Sequence, residues 1–565
     1  MKWPPPSRRA FLLAVFPLGI IALLLLPRGL AQQSPAPQNP KLVVVIVVDQ
    51  MRADYIPRFR GEWHGGLARL VDHGAWFRNV AYPYSGTETC PGHATIGTGV
   101  FPETHGIIGN TWWDRARRNT VTCTQDASVH DLSNVGRTAT PGDSPAQLRA
   151  STFAERLRSA RPGSRVVTLS LKARAAIMLA GHQADVVLWQ DEAAGDWMTS
   201  SAYASEMPPF ARAFFNANPP FADLHKVWSL SMAESKYHNA RSVAGENPPT
   251  GWTTNFPHPL QGSSPLFGGF QVSNEVALWR ASPFSDEYLE RLAAAAVDSM
   301  KLGRGPGADF LGISFSAPDY IGHAFGPNSR EIEDEYLRLD QTMGKLLDDL
   351  DRAVGAGNYV VALTADHGVA PIPEQSQSQT TKGGRVDAQG IVAAAEKVLA
   401  QRLGSGRHVA RMVDQNIYFE TGVMERIHAD PSLWRDVQAA ILAQPGVAGV
   451  FESSELGQRF GGDSTEQAAA LDTFSGRSGD AVIALKPYWI LSSRGTTHGT
   501  ANGYDQHVPL IFFGAGITTG EYGAAASPAD IAPTLASLCG IPPGKTQGSA
   551  LADAIQPKGS ASGRP

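Results

Sequence analysis

Cysteine is scarce: only Cys90, Cys123 and Cys539 occur in 565 residues. That is too few for a disulfide-built scaffold, so an apolar core must carry the fold, with one bridge at most. Basic runs are lacking too. Lys and Arg total 48 against 53 Asp and Glu, a net charge of −5, with no long stretch of either cation. Binding along a phosphate backbone needs a basic footprint, so nucleic acid is excluded as an obligate partner. A small phosphorylated ligand held by one or two cations is not. No internal repeat is evident, and the length exceeds that of a usual single domain.

The N-terminal "SRRAFLLAVFPLGIIALLLLPRGLAQQ" joins Arg8 and Arg9 to an apolar stretch from Ala10 to Leu26 and a Gly-x-Ala site ending at Ala31. It reads as a secretory signal over residues 1–31 and resembles a twin-arginine signal. The rival, an uncleaved membrane anchor, is opposed by Pro17, Arg28 and the polar "QQSPAPQNPK" that follows. The expected mature protein is periplasmic or secreted, with no membrane attachment after cleavage.

Five apolar runs rich in β-branched residues read as buried parallel strands: 41–48, 165–171, 309–315, 358–364 and 508–514. Their hydrophobicity is continuous rather than alternating, as a sheet covered on both faces requires. Helical patterns lie between them. One carries Tyr336, Leu337, Leu339, Met343, Leu346, Leu347 and Leu350 along one side, with Asn328 or Ser329 as cap; another opens on Ser527 and Pro528 and stops at Gly540. The fold class is therefore α/β, a mainly parallel central sheet with helices on both faces. Two stretches break the rhythm, the Trp-, Pro- and Phe-rich 190–295 and the polar, then Ala-rich, 375–480. Both read as insertions capping the site of one catalytic domain over 40–552, with 553–565 as a flexible tail.

In open α/β sheets, ligands gather beyond the carboxyl ends of strands. The first strand runs into Asp49, the third into Asp319 and then His323, and the fourth into Asp366 and His367; His498 precedes the last. Three Asp and three His at one sheet edge form a ligand set suited to Zn²⁺, with Mn²⁺ and Co²⁺ less favoured. Six ligands suffice for two ions with positions left open. A single Asp after a strand is as readily a turn former. The weight rests on all four positions together. His93, His105 and His507 are assigned supporting or structural roles.

"GTETCPGHATIGTG", residues 86–99, sets Thr89 beside Cys90 at the start of a short helix, with Pro91 in its first turn. Backbone N–H groups there favour an anion. A free threonine hydroxyl is a poor nucleophile, and a divalent metal would make it a good one. A sulfatase needs Cys-x-Pro-x-Arg, but here Pro91 follows Cys90 directly and Ala94 takes the later place. Cys90 is read as a buried neighbour and Thr89 as the working group.

Together "VVDQMRADY", "TETCPGHATIGTG", "FPETHGIIGN", "SLKARAAIMLAG", "APDYIGHAFGP", "LTADHG" and "GTTHGT…YDQHVPLIFFG" resemble the alkaline phosphatase superfamily. More closely, the chain is similar to bacterial alkaline phosphatases on the nucleotide pyrophosphatase/phosphodiesterase-like branch. The resemblance implies two Zn²⁺, one on Asp319, His323 and His498 and one on Asp49, Asp366 and His367, with Thr89 bound to the second as nucleophile. It further implies that Asn110, Lys172 and Arg174 contact the non-bridging phosphoryl oxygens. Lys172 and Arg174 are expected to share a face of an extended segment. The implied activity is hydrolysis of phosphate monoesters through a phosphothreonine, releasing inorganic phosphate. The alternative is a phosphodiesterase or nucleotide pyrophosphatase on the same dimetal site. Oligomeric state is not legible.

Overall fold

The computed structural model describes residues 39–557 apart from 220–221, 262–265, 268–269, 272–273, 377–381 and 457–463, so the expected signal over 1–31 lies outside the described residues. A mixed sheet of eleven strands forms the centre. In chain order they are β1 (Leu42–Val48), β2 (Ala75–Val80), β3 (Asp131–Ser133), β4 (Thr138–Ala139), β5 (Val166–Ser170) and β6 (Val186–Gln190). Then come β7 (Trp197–Ser200), β8 (Asp309–Phe315), β9 (Tyr359–Thr364), β10 (Leu510–Gly514) and β11 (Gly520–Ala526). Across the sheet the order is β11-β2-β10-β9-β1-β8-β5-β6-β7-β3-β4.

From β9 to β6 every pairing is parallel. All seven side chains of β1, "LVVVIVV", are buried, and each such aliphatic group contributes about 1.5–3 kcal/mol of transfer free energy. The run at 508–514 departs from expectation: as β10 it lies antiparallel to both β9 and β2. Continuous apolarity reports burial on two faces and is blind to strand direction.

Five helices matter for the site: α1 (Thr89–Thr98), α2 (Ala173–Ala180), α3 (Pro283–Ser299), α4 (Ala317–Phe325) and α5 (Arg330–Ala353). The Ser329 hydroxyl accepts from Ile332 N–H and caps α5, whose expected apolar line is buried. At the C-terminal end, Ser527 and Asp530 form a reciprocal capping box, and Gly540, at φ +64°, closes helix Ile531–Cys539. Chain expected to be loose from 553 is packed further on. Ala554 is buried and Ile555 bridges Ile517. Residues 558–565 lie outside the described residues.

The 190–295 stretch begins inside the main sheet, since β7 pairs with β6 and β3. Further on, Trp228, Trp252 and Phe256 enclose His258 together with Phe325 of α4. The 375–480 stretch holds the helices its Ala-rich pattern predicts, Ala388–Leu403 and Pro431–Leu442. It also contributes to a four-stranded antiparallel sheet, ordered Val409–Val413, Asn416–Phe419, Ala481–Leu485, Val447–Glu452, which carries this lobe to 485. An apolar cluster of its own, including Ile391, Val437 and Ile483, fills the lobe.

Register places the site. Val48 of β1 pairs with Phe315, Val47 with Thr364, and Ser314 with Ser170. Asp49, Ser316, Asp366 and Lys172 therefore leave the sheet at one carboxyl edge.

Candidate metal centre and active site

Asp319 and His323 stand one turn apart on α4, and His498 joins them from the 491–502 loop; their ligand atoms all lie within 4.8 Å of one another. Asp319 Oδ1 is 3.2 Å from His323 Nε2 and 3.8 Å from His498 Nε2. The His367 and His498 rings stack with centroids 3.5 Å apart, which brings the second set alongside the first. All three imidazoles are tied in one way. Nδ1 of His323, His367 and His498 donates to the carbonyls of Thr496, Gly368 and Thr87, at 2.9, 2.8 and 2.8 Å. That arrangement fixes the tautomer and leaves Nε2 as a lone-pair donor, as a metal-binding histidine requires.

Asp49 is buried at the end of β1. Its Oδ1 accepts from Ser314 at 2.7 Å and its Oδ2 from Ser316 at 2.9 Å. Asp366 Oδ1 accepts from the N–H groups of Gln50 and His367, both at 3.0 Å. Asp366 Oδ2 and His367 Nε2, 3.4 Å apart and fully buried, have no hydrogen-bond partner. Buried polar atoms left unpaired are costly, and a divalent cation between a carboxylate and an imidazole satisfies both. The donor set thus fits a metal. His93 also lies within 4.8 Å of Asp49 and Asp366. Its two ring nitrogens, however, sit at 2.9 Å from the Thr89 carbonyl and 3.1 Å from the Ser314 hydroxyl. It braces the site, while His367 keeps the open nitrogen.

Electrostatics follow burial. Loss of water lowers the proton affinity of His367 to about 3 and holds His498 well below the usual range, so both imidazoles are neutral. Burial, then Asp49, pushes the Asp366 carboxyl well above its ordinary value. Burial would do the same to Asp319, but Lys172 and His323 outweigh it and hold that carboxyl well below.

Thr89 is the first residue of α1 and 1% exposed. The helix comes close to the β9 edge because Gly92 offers no side chain: a Cβ there would overlap the Asp366 carbonyl. The N–H of Cys90 is not open to an anion, contrary to expectation, since it donates to Asn110 Oδ1 at 2.9 Å. Asn110 N–H in turn donates to Glu88 at 2.8 Å. With its oxygen engaged, Asn110 has its amide N–H groups left to offer. Cys90 forms a disulfide with Cys123, so it is neither a free thiol nor a ligand.

Lys172 and Arg174 do not lie on an extended segment. Lys172 is the cap of α2 and Arg174 its second residue, the strand having ended at Ser170. Lys172 is 0% exposed, and its ammonium lies 2.9 Å from Asp49 Oδ2 and 2.6 Å from Asp319 Oδ2, touching a carboxylate of each metal set. Arg174 reaches Glu192 at 3.4 Å, and its buried Nε has no hydrogen-bond partner. Asn110 and Arg174 both line a cleft of about 380 Å³ with Trp189 and Glu192.

Sequence reasoning missed Gln50, Ser314 and Ser316. Gln50 adopts φ +67°, a conformation rare outside glycine, and its Nε2 donates to Asp319 Oδ1 at 2.6 Å. The alternating serines at the end of "ISFS" were the one signal available for the other two, because alternation places both toward one neighbour.

The profile of the type I phosphodiesterase / nucleotide pyrophosphatase family matches residues 43–505. The chain is 33% identical over 526 residues to alkaline phosphatase PafA of Elizabethkingia meningoseptica, covering 90% of this chain and 93% of that protein. It is 32% identical over 527 residues to alkaline phosphatase PhoV of Synechococcus elongatus, covering 90% and 92%. The crystal structure of wild-type PafA superposes with a TM-score of 0.84 at 32% identity, covering 92% of this chain and all of that one. The chain belongs to the type I phosphodiesterase / nucleotide pyrophosphatase family, within the alkaline phosphatase superfamily. Inside that family it stands with the bacterial alkaline phosphatases, and it is a hydrolase.

Proposed function

We propose that this enzyme hydrolyses phosphate monoesters outside the cytoplasm by attack of Thr89 on phosphorus, through a phosphothreonine. The observation that carries the reading is the unpartnered pair Asp366 Oδ2 and His367 Nε2 beside the helix that begins at Thr89. Asp319, His323 and His498 would hold one Zn²⁺ and Asp49, Asp366 and His367 a second. When bound, the two dications neutralise the charge that develops on the attacking and leaving oxygens.

The chain's own groups do the rest. Thr89 Oγ1 adds to phosphorus in line as the ester oxygen leaves, its hydroxyl proton passing to solvent and the leaving oxygen taking one up; water then cleaves the phosphothreonine, restoring the hydroxyl and releasing inorganic phosphate. His93 accompanies the Thr89 carbonyl and holds the first turn of α1 in register with the sheet edge. The Asn110 amide, Lys172 and Arg174 surround the non-bridging oxygens with donors, and such preorganised donors supply most of the catalysis in phosphoryl transfer. A monoester leaves three oxygens for them and a diester two, which favours the monoester. The identity to PafA and PhoV, both named alkaline phosphatases, supports this choice over the diesterase that the family's description names. The Cys90–Cys123 disulfide supports an oxidising compartment, in line with the signal-like residues 1–31.

Paired assays of an aryl phosphate and its methyl diester test the reading, together with acid quenching and peptide mapping for phosphate on Thr89. Faster monoester turnover and a label on Thr89 are expected. Faster diester turnover, or a label elsewhere, would overturn it.

A further inference from the structure

Arg174 needs help to work. An arginine side chain has many rotamers, and an unrestrained guanidinium gives up that freedom each time it meets a ligand. Two residues from the 190–295 stretch restrain it. The Glu192 carboxylate lies 3.4 Å from Arg174 Nη1, on the rim of the 380 Å³ cleft that Arg174 and Asn110 also line. Glu192 is itself held from behind. Arg280 Nη1 donates to the Glu192 carbonyl at 3.2 Å, and Arg280 Nη2 lies 3.5 Å from its carboxylate.

Arg280 is 6% exposed, at the end of helix Glu275–Arg280. It donates to the Tyr320 hydroxyl and stacks over the Tyr320 ring at 4.6 Å. Lys172 stands 5.1 Å from the same ring centroid. Lys172 and Arg280 thus share one aromatic ring, and Glu192 links Arg280 to Arg174. Two metal-site carboxylates compensate Lys172, whereas Glu192 alone among these contacts faces both arginines. Without it, like charges would drive Arg174 from the site. Neither Glu192 nor Arg280 reaches a metal-site residue directly in these contacts; they act through Arg174 and Tyr320.

We propose that Glu192 and Arg280 are positioning residues that hold the Arg174 guanidinium toward the phosphoryl oxygens and thereby set the preference for monoesters over diesters. The inference rests on the proposed role of Arg174. A fixed Arg174 rewards an ester with a free oxygen at its reach, so loosening it penalises the monoester more.

The test compares kcat/KM for an aryl phosphate and its methyl diester in the zinc-loaded enzyme and in Glu192→Gln, Glu192→Asp, Arg280→Lys and Arg174→Ala. Melting temperature and zinc content are followed in each. Expected is a fall of about tenfold in the monoester-to-diester ratio for Glu192→Gln and Arg280→Lys, with zinc content unchanged, the value of one charge-assisted hydrogen bond. Glu192→Asp should restore most of the ratio, because a carboxylate remains. Arg174→Ala should lower the ratio further than either.

If Arg174→Ala lowers the ratio while Glu192→Gln and Arg280→Lys reduce both substrates equally or neither, the positioning role is wrong and the reading of Arg174 survives. If Arg174→Ala leaves the ratio intact, the reading of Arg174 fails and this inference with it. A variant that melts lower yet keeps the ratio also counts against the proposal, since a merely structural role would do that.

Discussion

Histidines in the central sheet's edge and in the 386–485 lobe are treated in opposite ways. In the lobe, His408 Nδ1 meets the Glu396 carboxylate at 2.7 Å and His428 Nε2 meets Glu452 at 2.7 Å. At the sheet edge, His323, His367 and His498 give Nδ1 to backbone carbonyls and turn Nε2 toward carboxylates and one another. Both of these lobe histidines are completed by carboxylates of the lobe itself. The edge leaves the buried Asp366 Oδ2 and His367 Nε2 without hydrogen-bond partners. A native fold tolerates such atoms when something else completes them, so an unpaired nitrogen among converging carboxylates and imidazoles, rather than the histidine itself, marks function.

That contrast can be broken by substitution. The largest effect is expected from Thr89→Ala: monoester turnover should fall by at least about 10³-fold with little change in melting temperature, because the side chain removed is the proposed attacking group. His367→Ala comes next. It should cost one zinc per chain on elemental analysis and on the order of 10²-fold in turnover. His408→Ala should do the reverse, keeping zinc and turnover while costing about 1 kcal/mol in denaturant unfolding, as Glu396 loses the imidazole and keeps the backbone N–H groups of His408 and Val409. Loss of zinc from the lobe variant would erase the distinction.

The smallest effect concerns Glu290, on α3 and away from both regions. Burial, then Asp349, raises its carboxyl to about 7 from an ordinary value near 4.5. A raised folded-state value means that the folded chain holds the proton more tightly. Its stabilising contribution is full below about pH 4.5 and lost as pH rises through about 7. Glu290→Gln should therefore raise stability at pH 9 relative to the parent by about 1 kcal/mol, and change it little at pH 4.5. Equal shifts at both pH values would refute the assignment.

Much of this is legible in the sequence. Hydrophobic runs such as 41–48 and 309–315 located the strands, because burial on both faces leaves a plain mark in the sequence. The acids and imidazoles after those strands pointed to one edge, and register brings them there. What escaped was set by tertiary contact. The direction of β10 is invisible to apolarity, and the lobe's antiparallel sheet is built from strands separated by up to some 70 residues. Lys172 and Arg174 sit at a helix start because β5 ends at Ser170, two residues before the alternation that "SLKAR" implies. Gln50 betrays itself only through φ +67°, which no composition records.

The central claim is that six side chains drawn from across the chain hold two metal ions next to Thr89. Zinc per chain, measured by elemental analysis on purified parent, His367→Ala and His498→Ala proteins, tests it most directly. Two ions in the parent and one in each variant are predicted. An unchanged count in either variant, or no bound metal in an active parent, would contradict the account.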